Sequence, residues 1–368
     1  MACTRFLVLT ESSYTEVPRM RQHVANYLSC HAPTIYVKLF SVGLPHATTV
    51  HKNLKVIDPG LYIKGVDHFS CLRVAYDLYI SIWLYILSIF YRLCLDSTFV
   101  LVNFRFDLPM PYRLPGFKRK VFFINDDFIS LIPKSASALL RRKLSRQHSV
   151  FNLADIIIAS SSHLLPSLKH YNAVYDVIFS GHDFDQNISS SNVAITNRTY
   201  PIKLCLMGVM NSNLDLDLLK FLVLDELNKF QLTFVGPVVC ADIKSFLSRH
   251  TNVIHISPLK GNPLQKELLR HDVFLMPYSD ININRVAEVP AKLMQYLACG
   301  RPVVAFNLPN LISLPNHFVS SCFDATNFKN QILEQYWADT PGKRLERICF
   351  SQGYTWDHQL SRLLKLIS

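Results

Sequence analysis

The chain of 368 residues is 49% hydrophobic and 18% charged, which is enough apolar content for two domains with buried cores and excludes a largely disordered protein. Its formal net charge at pH 7 is +11. Residues 1–183 carry +8 of this charge and residues 184–368 carry +3, so the first half produces most of the positive electrostatic field.

The nine cysteines are scattered from Cys3 to Cys349 with no C-x-x-C pair, which is not the pattern of a disulfide framework or of a zinc site. The apolar stretch near the first residue is too short for the core of a signal peptide. We therefore expect a protein of the cytoplasm, in which the sequons at Asn187 and Asn197 are not glycosylated.

Strand-like and helix-like segments alternate through the first half, which is the pattern of a parallel sheet covered by helices. The predicted strands are Phe6–Leu9, Thr34–Phe40, Phe99–Asn103, Lys120–Ile124, Ile156–Ala159 and Val177–Phe179. The predicted helices are Arg19–Ser29, Arg73–Leu95 and Ser135–Leu153. The first half is therefore expected to form one Rossmann-like domain.

The second of these helices contains the longest uncharged run, from Leu78 to Tyr91, which has 14 residues. A span of a bilayer needs about 20 apolar residues, so we do not expect this run to cross a membrane. Because apolar side chains surround the whole helix, we interpret it as a core helix. A helix that rests on a lipid surface is the alternative.

The third helix is strongly basic and carries leucines at positions that either face inward or enter a membrane surface. Its basic residues are Lys134, Arg141, Arg142, Lys143, Arg146 and His148. Two interpretations stay open, a solvated helix face and peripheral contact with anionic lipid headgroups. Nucleic acid is the weakest candidate partner, because no strand combines aromatic and basic residues for recognition.

The predicted strand Lys120–Ile124 is followed by Asn125, Asp126 and Asp127. Carboxylates at the end of a buried strand lie at the rim of the sheet, where open α/β folds bind their ligands. Asp126 is therefore a candidate for a ligand-facing residue. An N-capping aspartate is the alternative interpretation.

A polar stretch at residues 184–200 predicts a linker, after which the α/β alternation starts again. Predicted strands of the second half are Ile202–Met207, Gln231–Val235, Val253–Ile256 and Val273–Met276, and predicted helices are Leu214–Leu224, Ala241–His250 and Pro263–His271. Gly208 ends the first of these strands, where a glycine lets the backbone approach a ligand closely or simply forms a turn. Asp215 and Asp217 open the next helix, where carboxylates complement the helix dipole rather than bind a metal.

The segment from Glu288 to Phe306 is the most informative part of the sequence. Pro290 suits a first helical turn and Gly300 suits a helix end, and a buried strand of four apolar residues follows at Val303–Phe306. A helix that starts beside the carboxyl end of a strand directs its free N–H groups at that edge, and Lys292 lies in its first turn. The sequence therefore predicts an anion site there, most simply for a phosphate.

This segment also resembles the donor-site signature of retaining GT-B glycosyltransferases of family 4, in particular the bacterial branch that assembles surface polysaccharides, such as teichuronic-acid-type enzymes. The matching positions are Pro290, Lys292, Gln295, Tyr296, Ala298, Gly300, Pro302, Val303 and Val304. Two positions depart from the family pattern. The glutamate that grips the donor ribose is Gln295, and the upstream acid is Ala287, with Glu288 one place later.

The resemblance implies an α/β GT-B fold of two Rossmann-like domains that face each other across a cleft. The acceptor-side domain would be residues 1–183 with a helix at 354–368 that returns to it, and residues 201–350 would bind the nucleotide sugar. The resemblance also implies donor-binding roles for Gly208, Gly236, Glu288, Pro290, Ala291, Lys292 and Gln295, and a catalytic role for Asp126. Similar enzymes clamp the diphosphate with an arginine and a lysine after the first glycine, but here the next basic residue is Lys220, so Lys292 and Arg285 are the catalytic candidates for that task. In these roles Lys292 and Arg285 neutralise the diphosphate, Gln295 holds the ribose and Glu288 holds the sugar hydroxyls.

The expected function is transfer of a sugar from a nucleotide sugar, such as a UDP- or GDP-sugar, to a carbohydrate or lipid-linked glycan in surface-polysaccharide synthesis, with retention and with no metal or other cofactor. The expected location is the cytoplasm or the inner face of the plasma membrane. A nucleotide-sugar epimerase or hydrolase on the same fold is an alternative. A catalytically weakened nucleotide-sugar-binding protein is another, because Gln295 and Ala287 replace acids of the family.

Overall fold

The structure is a computed structural model that describes residues 3–16, 18–63, 69–125, 137–195, 198–225, 229–279 and 288–367. Asp126 and Arg285, two of the predicted catalytic residues, and Ala287 lie outside the described residues. The chain divides into two compact units, one of Met1–Phe179 with Leu360–Ser368 and one of Ser180–Gln359.

The described residues of the first unit form one eight-stranded sheet in the order β3-β4-β2-β1-β5-β6-β7-β8. Its strands are β1 (Cys3–Thr10), β2 (Thr34–Lys38), β3 (His46–His51), β4 (Leu54–Asp58), β5 (Ser97–Asn103), β6 (Phe117–Ile124), β7 (Ile156–Ala159) and β8 (Val174–Val177). Its helices are α1 (Met20–His31), α2 (Ser70–Leu95) and α3 (Ser137–Leu153). Every pairing is parallel except that of β3 with β4.

The two strands that sequence analysis did not predict, β3 and β4, lie at one edge of this sheet. All six residues of β3 are exposed, and β4 buries only Leu54 and Asp58 fully. These strands therefore lack the continuous apolar run that identifies a covered strand. They are held by the ladder that β4 forms with β2, in which Ile35 pairs with Lys55 and Val37 with Ile57.

Helix α2 corrects the interpretation of a core helix. One face is buried, with Tyr76, Ile80 and Leu84 inside the unit. The opposite face exposes ten large apolar side chains: Leu72, Val74, Leu78, Ile82, Tyr85, Ile86, Ile89, Phe90, Leu93 and Leu95. The prediction that this segment is too short to cross a membrane is also wrong in its reason. By length and composition alone, Cys71–Leu95 is long enough and apolar enough to cross one.

The carboxyl edge of the first sheet carries charged side chains in several ion pairs. Arg21 is largely buried and pairs with Glu11 at 2.5 Å. Arg105 pairs with Asp107 at 2.6 Å and lies 4.0 Å from Glu11. The sequence did not predict these pairs because their members come from separate elements.

The described residues of the second unit form one fully parallel six-stranded sheet in the order β11-β10-β9-β12-β13-β14. The strands are β9 (Ile202–Met207), β10 (Phe230–Val235), β11 (Val253–Ile256), β12 (Val273–Pro277), β13 (Val303–Phe306) and β14 (Val319–Cys322). The helices are α4 (Gln186–Ser190), α5 (Leu216–Asp225), α6 (Ala241–Arg249), α7 (Gly261–Leu268), α8 (Ala291–Ala298), α9 (Ala325–Ala338), α10 (Pro341–Ser351) and α11 (Trp356–Ile367). The residues of α11 from Leu360 onward belong to the first unit, where Arg362 pairs with Asp176.

The stretch predicted as a linker packs onto the second unit. It contains α4, and the Gln265 amide donates to the Asp185 carbonyl at 2.7 Å and to the Ser189 hydroxyl at 2.9 Å. Upstream, the buried His182 ring accepts the Phe184 N–H at Nδ1 over 3.2 Å, and its Nε2 is 2.9 Å from the Ser351 carbonyl. These contacts require the neutral ring, with Nε2 as the donor.

The stability of the second unit is expected to decrease as the pH falls below about 6.5. Burial, the largest influence, lowers the pKa of His182 although the Ser351 carbonyl and Asp183 oppose it, and burial likewise lowers the pKa of His271 against Glu267 and Asp272. Below the ordinary histidine pKa of 6.5, the two rings bind protons in the unfolded chain but stay neutral in the folded chain. Protonation therefore favours unfolding until the pH reaches the lowered pKa of the folded state.

Urea unfolding at about pH 7.5 and about pH 5.5 measures this effect. The expected result is a lower midpoint at the acidic pH, and a smaller difference between the two pH values in the variant His182→Gln/His271→Gln. An equal pH dependence of this variant and the unchanged chain would contradict the assignment of the effect to these two rings.

Candidate anion site of the second unit

Helix α8 is anchored to the sheet through Tyr296. The Tyr296 ring is buried and stacks on Phe274 of β12, with ring centroids 4.2 Å apart and planes 9° apart. Its hydroxyl oxygen accepts the N–H of Met207, the last residue of β9, at 2.8 Å. Burial raises the pKa of Tyr296 well above its usual range, so the hydroxyl stays protonated. The first turn of α8, with Lys292, is thereby fixed in orientation relative to β9 and β12.

Two glycines lie where β9 and β10 end, and their backbones touch. Gly208 has φ 118° and Gly236 has φ 140°, a region that side chains with a Cβ rarely adopt. A Cβ at position 236 would lie 2.2 Å from the Gly208 carbonyl oxygen. The Gly208 N–H donates to Val235 O and the Gly236 N–H to Ile256 O, each at 3.0 Å. Close approach of the two backbones therefore requires glycine at position 236, and the positive φ alone favours glycine at position 208.

The ammonium group of Lys292 lies beside Gly208. A Cβ built on Gly208 would be 3.7 Å from Lys292 Nζ, and this Nζ is 5.1 Å from the centroid of the Tyr278 ring. A cation over an aromatic face is attracted by the ring quadrupole. Tyr278 is itself held by the Asn307 side-chain amide, which donates to the Tyr278 carbonyl at 2.9 Å. Lys292, a half-buried residue, thus holds its ammonium group at the strand-end glycine.

The loop between β9 and α5 closes against the same edge. The Asp215 N–H donates to the Pro277 carbonyl at 3.0 Å, and the Asp215 carboxylate accepts the Leu218 N–H at 2.8 Å. Asp217 is exposed and pairs with Lys220 at 2.8 Å. The prediction that these two carboxylates serve the start of a helix is confirmed.

The remaining predicted donor residues lie on α8 or at its entry. Pro290 is the N-cap with φ −56°, Ala291 is the exposed first helical residue, and Gln295 is half-buried one turn further along the helix. The Glu288 carbonyl accepts the Ile312 N–H at 2.8 Å. Burial chiefly, and then the negative charge of Glu288, raise the pKa of Tyr354.

The structure thus brings together Gly208, Gly236 and Lys292, and Arg285 and Asp126 fall outside the described residues. Sequence analysis missed the supporting contacts of Tyr278 under Lys292 and of His255, whose Nε2 is 2.8 Å from the Gly236 carbonyl. The Pro277-Tyr278 pair after a buried strand was a usable signal for the first. No sequence signal marks His255, because its role depends on how two neighbouring strands are paired.

This arrangement is suited to bind an anion. The first N–H groups of a helix have no acceptor within the helix and carry the positive end of its dipole. At α8 these groups and the Lys292 ammonium lie at the edge where Gly208 leaves room for close approach. A phosphate or diphosphate has the charge and the acceptor oxygens that such a site accommodates.

No protein-family model matches the chain. A search of curated proteins finds similarity to TuaH of Bacillus subtilis (strain 168), named as a candidate teichuronic acid biosynthesis glycosyltransferase, with 29% identity over 243 residues. The match covers 62% of this chain, and the chain spans 59% of that protein.

Solved structures with the same architecture cover nearly the whole chain. A trehalose-6-phosphate structure from E. coli bound with UDP-2-fluoro glucose has a TM-score of 0.66 at 11% identity, covering 99% of this chain and 98% of that one. Sucrose-phosphate synthase from Thermosynechococcus elongatus has a TM-score of 0.66 at 12% identity, with coverages of 99% and 98%. WaaG, a glycosyltransferase involved in lipopolysaccharide biosynthesis, has a TM-score of 0.62 at 13% identity, with coverages of 99% and 99%. The predicted α/β fold of two parallel-sheet domains, of the GT-B type, is confirmed.

Proposed function

We propose that this chain is a glycosyltransferase that moves a sugar from a nucleoside diphosphate sugar to a carbohydrate or lipid-linked glycan acceptor. The observation that carries the proposal is the position of the Lys292 ammonium beside Gly208 at the start of α8, which fits a diphosphate. The fold supports it, and so does the 29% identity to a relative named for glycosyl transfer in teichuronic acid biosynthesis.

In the proposed reaction, the bond from the anomeric carbon to the diphosphate oxygen breaks and negative charge develops on the departing nucleoside diphosphate. Lys292 and the N–H groups of α8, together with Arg285, stabilise that charge by electrostatic preorganisation. The sugar develops oxocarbenium character, and the acceptor hydroxyl attacks from the leaving-group side and passes its proton to the departing diphosphate, so that configuration is retained. No metal ion is assigned to this step.

The remaining donor contacts are proposals for the same site. Gln295 hydrogen-bonds to the ribose hydroxyls of a UDP- or GDP-sugar without the charge assistance that a glutamate would provide. Glu288 binds hydroxyls of the sugar, and Asp126 orients the reacting groups. A lipid-linked acceptor would place the protein on the inner face of the plasma membrane, in the synthesis of a surface polysaccharide.

The test separates donor binding from transfer. Isothermal calorimetry with UDP-, GDP- and dTDP-sugars is expected to identify one donor that binds, and incubation of that donor with lipid-linked glycan acceptors is expected to yield a glycosylated product. Nuclear magnetic resonance of the product linkage then tests retention.

Three outcomes would contradict the proposal. Product formed from the donor alone would indicate an epimerase or a hydrolase. Binding without transfer to any acceptor would indicate a nucleotide-sugar-binding protein. Failure of every nucleotide sugar to bind would remove the assignment of the site itself.

A further inference from the structure

A second charged site lies in the first unit, in a pocket of about 250 Å³ between the first turns of α2 and the first half of α3. Its lining residues are Arg73, Val74, Asp107, Leu139, Arg142, Lys143, Ser145 and Arg146. Four of these side chains are cationic and one is anionic. We propose that this pocket binds the phosphate of a membrane lipid headgroup while the exposed apolar face of α2 rests in the lipid surface.

Buried carboxylates hold two of the pocket arginines in fixed positions. Arg73 lies 2.8 Å from Asp77 and 3.5 Å from Asp107, and Arg146 also pairs with Asp77. Asp107 also pairs with the guanidinium group of Arg105, at 2.6 Å. Because these guanidinium groups are already ordered, a bound phosphate would not have to order them, and arginine forks match phosphate oxygens in pairs.

The pocket keeps a positive charge at neutral pH. Burial, the largest influence, would raise the pKa of Asp107, but Arg105, Arg73 and Lys143 together hold the pKa below its usual range. Asp107 is therefore ionised and offsets one cation, and Asp77, which pairs with Arg73 and Arg146, offsets a second. Arg142 and Lys143 add positive charge from α3, which leaves the site complementary to an anion.

The apolar face of α2 begins at the pocket. Val74 lines the pocket and is 57% exposed, and Leu78, Ile82 and Ile86 follow at four-residue intervals with exposures of 48%, 50% and 61%. Residues at this spacing form one ridge along a helix. A ridge of apolar side chains that starts at a cationic pocket has the two features with which a helix binds at the interface of an anionic membrane.

The buried face of the same helix indicates surface contact rather than a span. Tyr76, Ile80 and Leu84 pack inside the first unit, and the Arg73–Asp77 ion pair is buried with them. Moving α2 across a bilayer would remove these contacts and transfer the ion pair into hydrocarbon, which is strongly unfavourable. The helix therefore lies along the lipid surface while it remains part of the folded unit.

The inference deepens the proposed function, since a lipid-linked acceptor is found in the membrane, but its test uses neither donor nor acceptor. The full chain is sedimented with vesicles of phosphatidylcholine, with and without phosphatidylglycerol. We expect binding that is stronger to the vesicles containing phosphatidylglycerol. The variant Arg142→Gln/Lys143→Gln is expected to lose about tenfold or more of that affinity, and Ile82→Ser/Ile86→Ser is expected to weaken binding to both kinds of vesicle.

Matched controls come from the second unit. Lys220→Gln removes an exposed cation and Val239→Ser removes an exposed apolar side chain, and both are expected to bind vesicles as the unchanged chain does. Thermal unfolding of every variant reports whether it is folded. A variant that keeps the unfolding temperature of the unchanged chain but loses vesicle binding supports the site, whatever the outcome of transfer assays.

Four results would overturn the inference. Sedimentation of the unchanged chain with neither kind of vesicle refutes the lipid assignment. Equal vesicle binding by the pocket variant refutes the phosphate contact. Thermal stabilisation by inorganic phosphate without vesicle binding identifies a site for a free phosphate. Self-association that Ile82→Ser/Ile86→Ser abolishes identifies a second copy of the chain as the partner of the ridge.

Discussion

Replacing Lys292 by alanine is expected to reduce kcat/KM of the proposed transfer reaction by at least about tenfold. The ammonium lies beside Gly208 and over Tyr278, at the start of α8, where it would meet the diphosphate. Its removal takes away positive charge from the position where the leaving group becomes more negative. Steady-state kinetics with the identified donor and acceptor measures the effect.

The matched control is Lys220→Ala, which removes a lysine of the same unit that is exposed and paired with Asp217. This control should transfer sugar at the normal rate. Calorimetry with the free nucleoside diphosphate shows how much of the loss in Lys292→Ala lies in binding of the leaving group. Near-normal transfer by Lys292→Ala would remove this residue from the mechanism.

Replacing Gly236 by alanine is expected to destabilise the second unit by about 2–5 kcal/mol, since the new Cβ adds overlap to backbone strain. The added Cβ would lie 2.2 Å from Gly208 O and 3.0 Å from Gly208 C, at φ 140°. Backbone must move to relieve this overlap, and a displaced Gly208 would no longer lie beside Lys292. Urea unfolding is expected to show a lower midpoint, and calorimetry a weaker affinity for the donor.

Three glycines separate the effect of the overlap from the effect of the backbone angle. Gly43 has φ 116° and Gly261 has φ 55°, and a Cβ at either position meets nothing within 4 Å. Gly208 has φ 118°, and its nearest neighbour would be Lys292 Nζ at 3.7 Å. Alanine at positions 43 and 261 should cost less stability than at 236, and alanine at 208 should affect donor binding more than stability. Equal losses at 43 and 236 would show that the close approach of the two strand ends is unimportant.

Much of the second unit could be predicted from the sequence because its signals are local. Strands Ile202–Met207, Val253–Ile256 and Val303–Phe306 have the predicted bounds. Each is a short, mostly apolar run bordered by residues that favour turns or helix ends, and a run of this kind needs no information from distant parts of the chain. The helix with Lys292 was predicted for the same reason, since Pro290 and Gly300 mark its limits.

The first unit shows where local signals are insufficient. The edge strand β3 is fully exposed, so its sequence carries no pattern of burial. Hydrophobicity in α2 is distributed around the helix, but the structure covers one face and leaves the other exposed. Periodicity cannot show which face is covered, because both faces of this helix carry apolar residues.

The sequence by itself determined the α/β class, the α8–β13 unit and the presence of a lysine in the first turn of its helix. Only the tertiary structure decided that Gly208 touches Gly236, that Tyr278 lies under Lys292, and that Arg73, Asp107, Lys143 and Arg146 share a pocket. Helix caps and apolar runs are set by neighbours along the chain. Contacts between strand ends and between helices depend on sheet order and register, which follow from the packing of the whole unit.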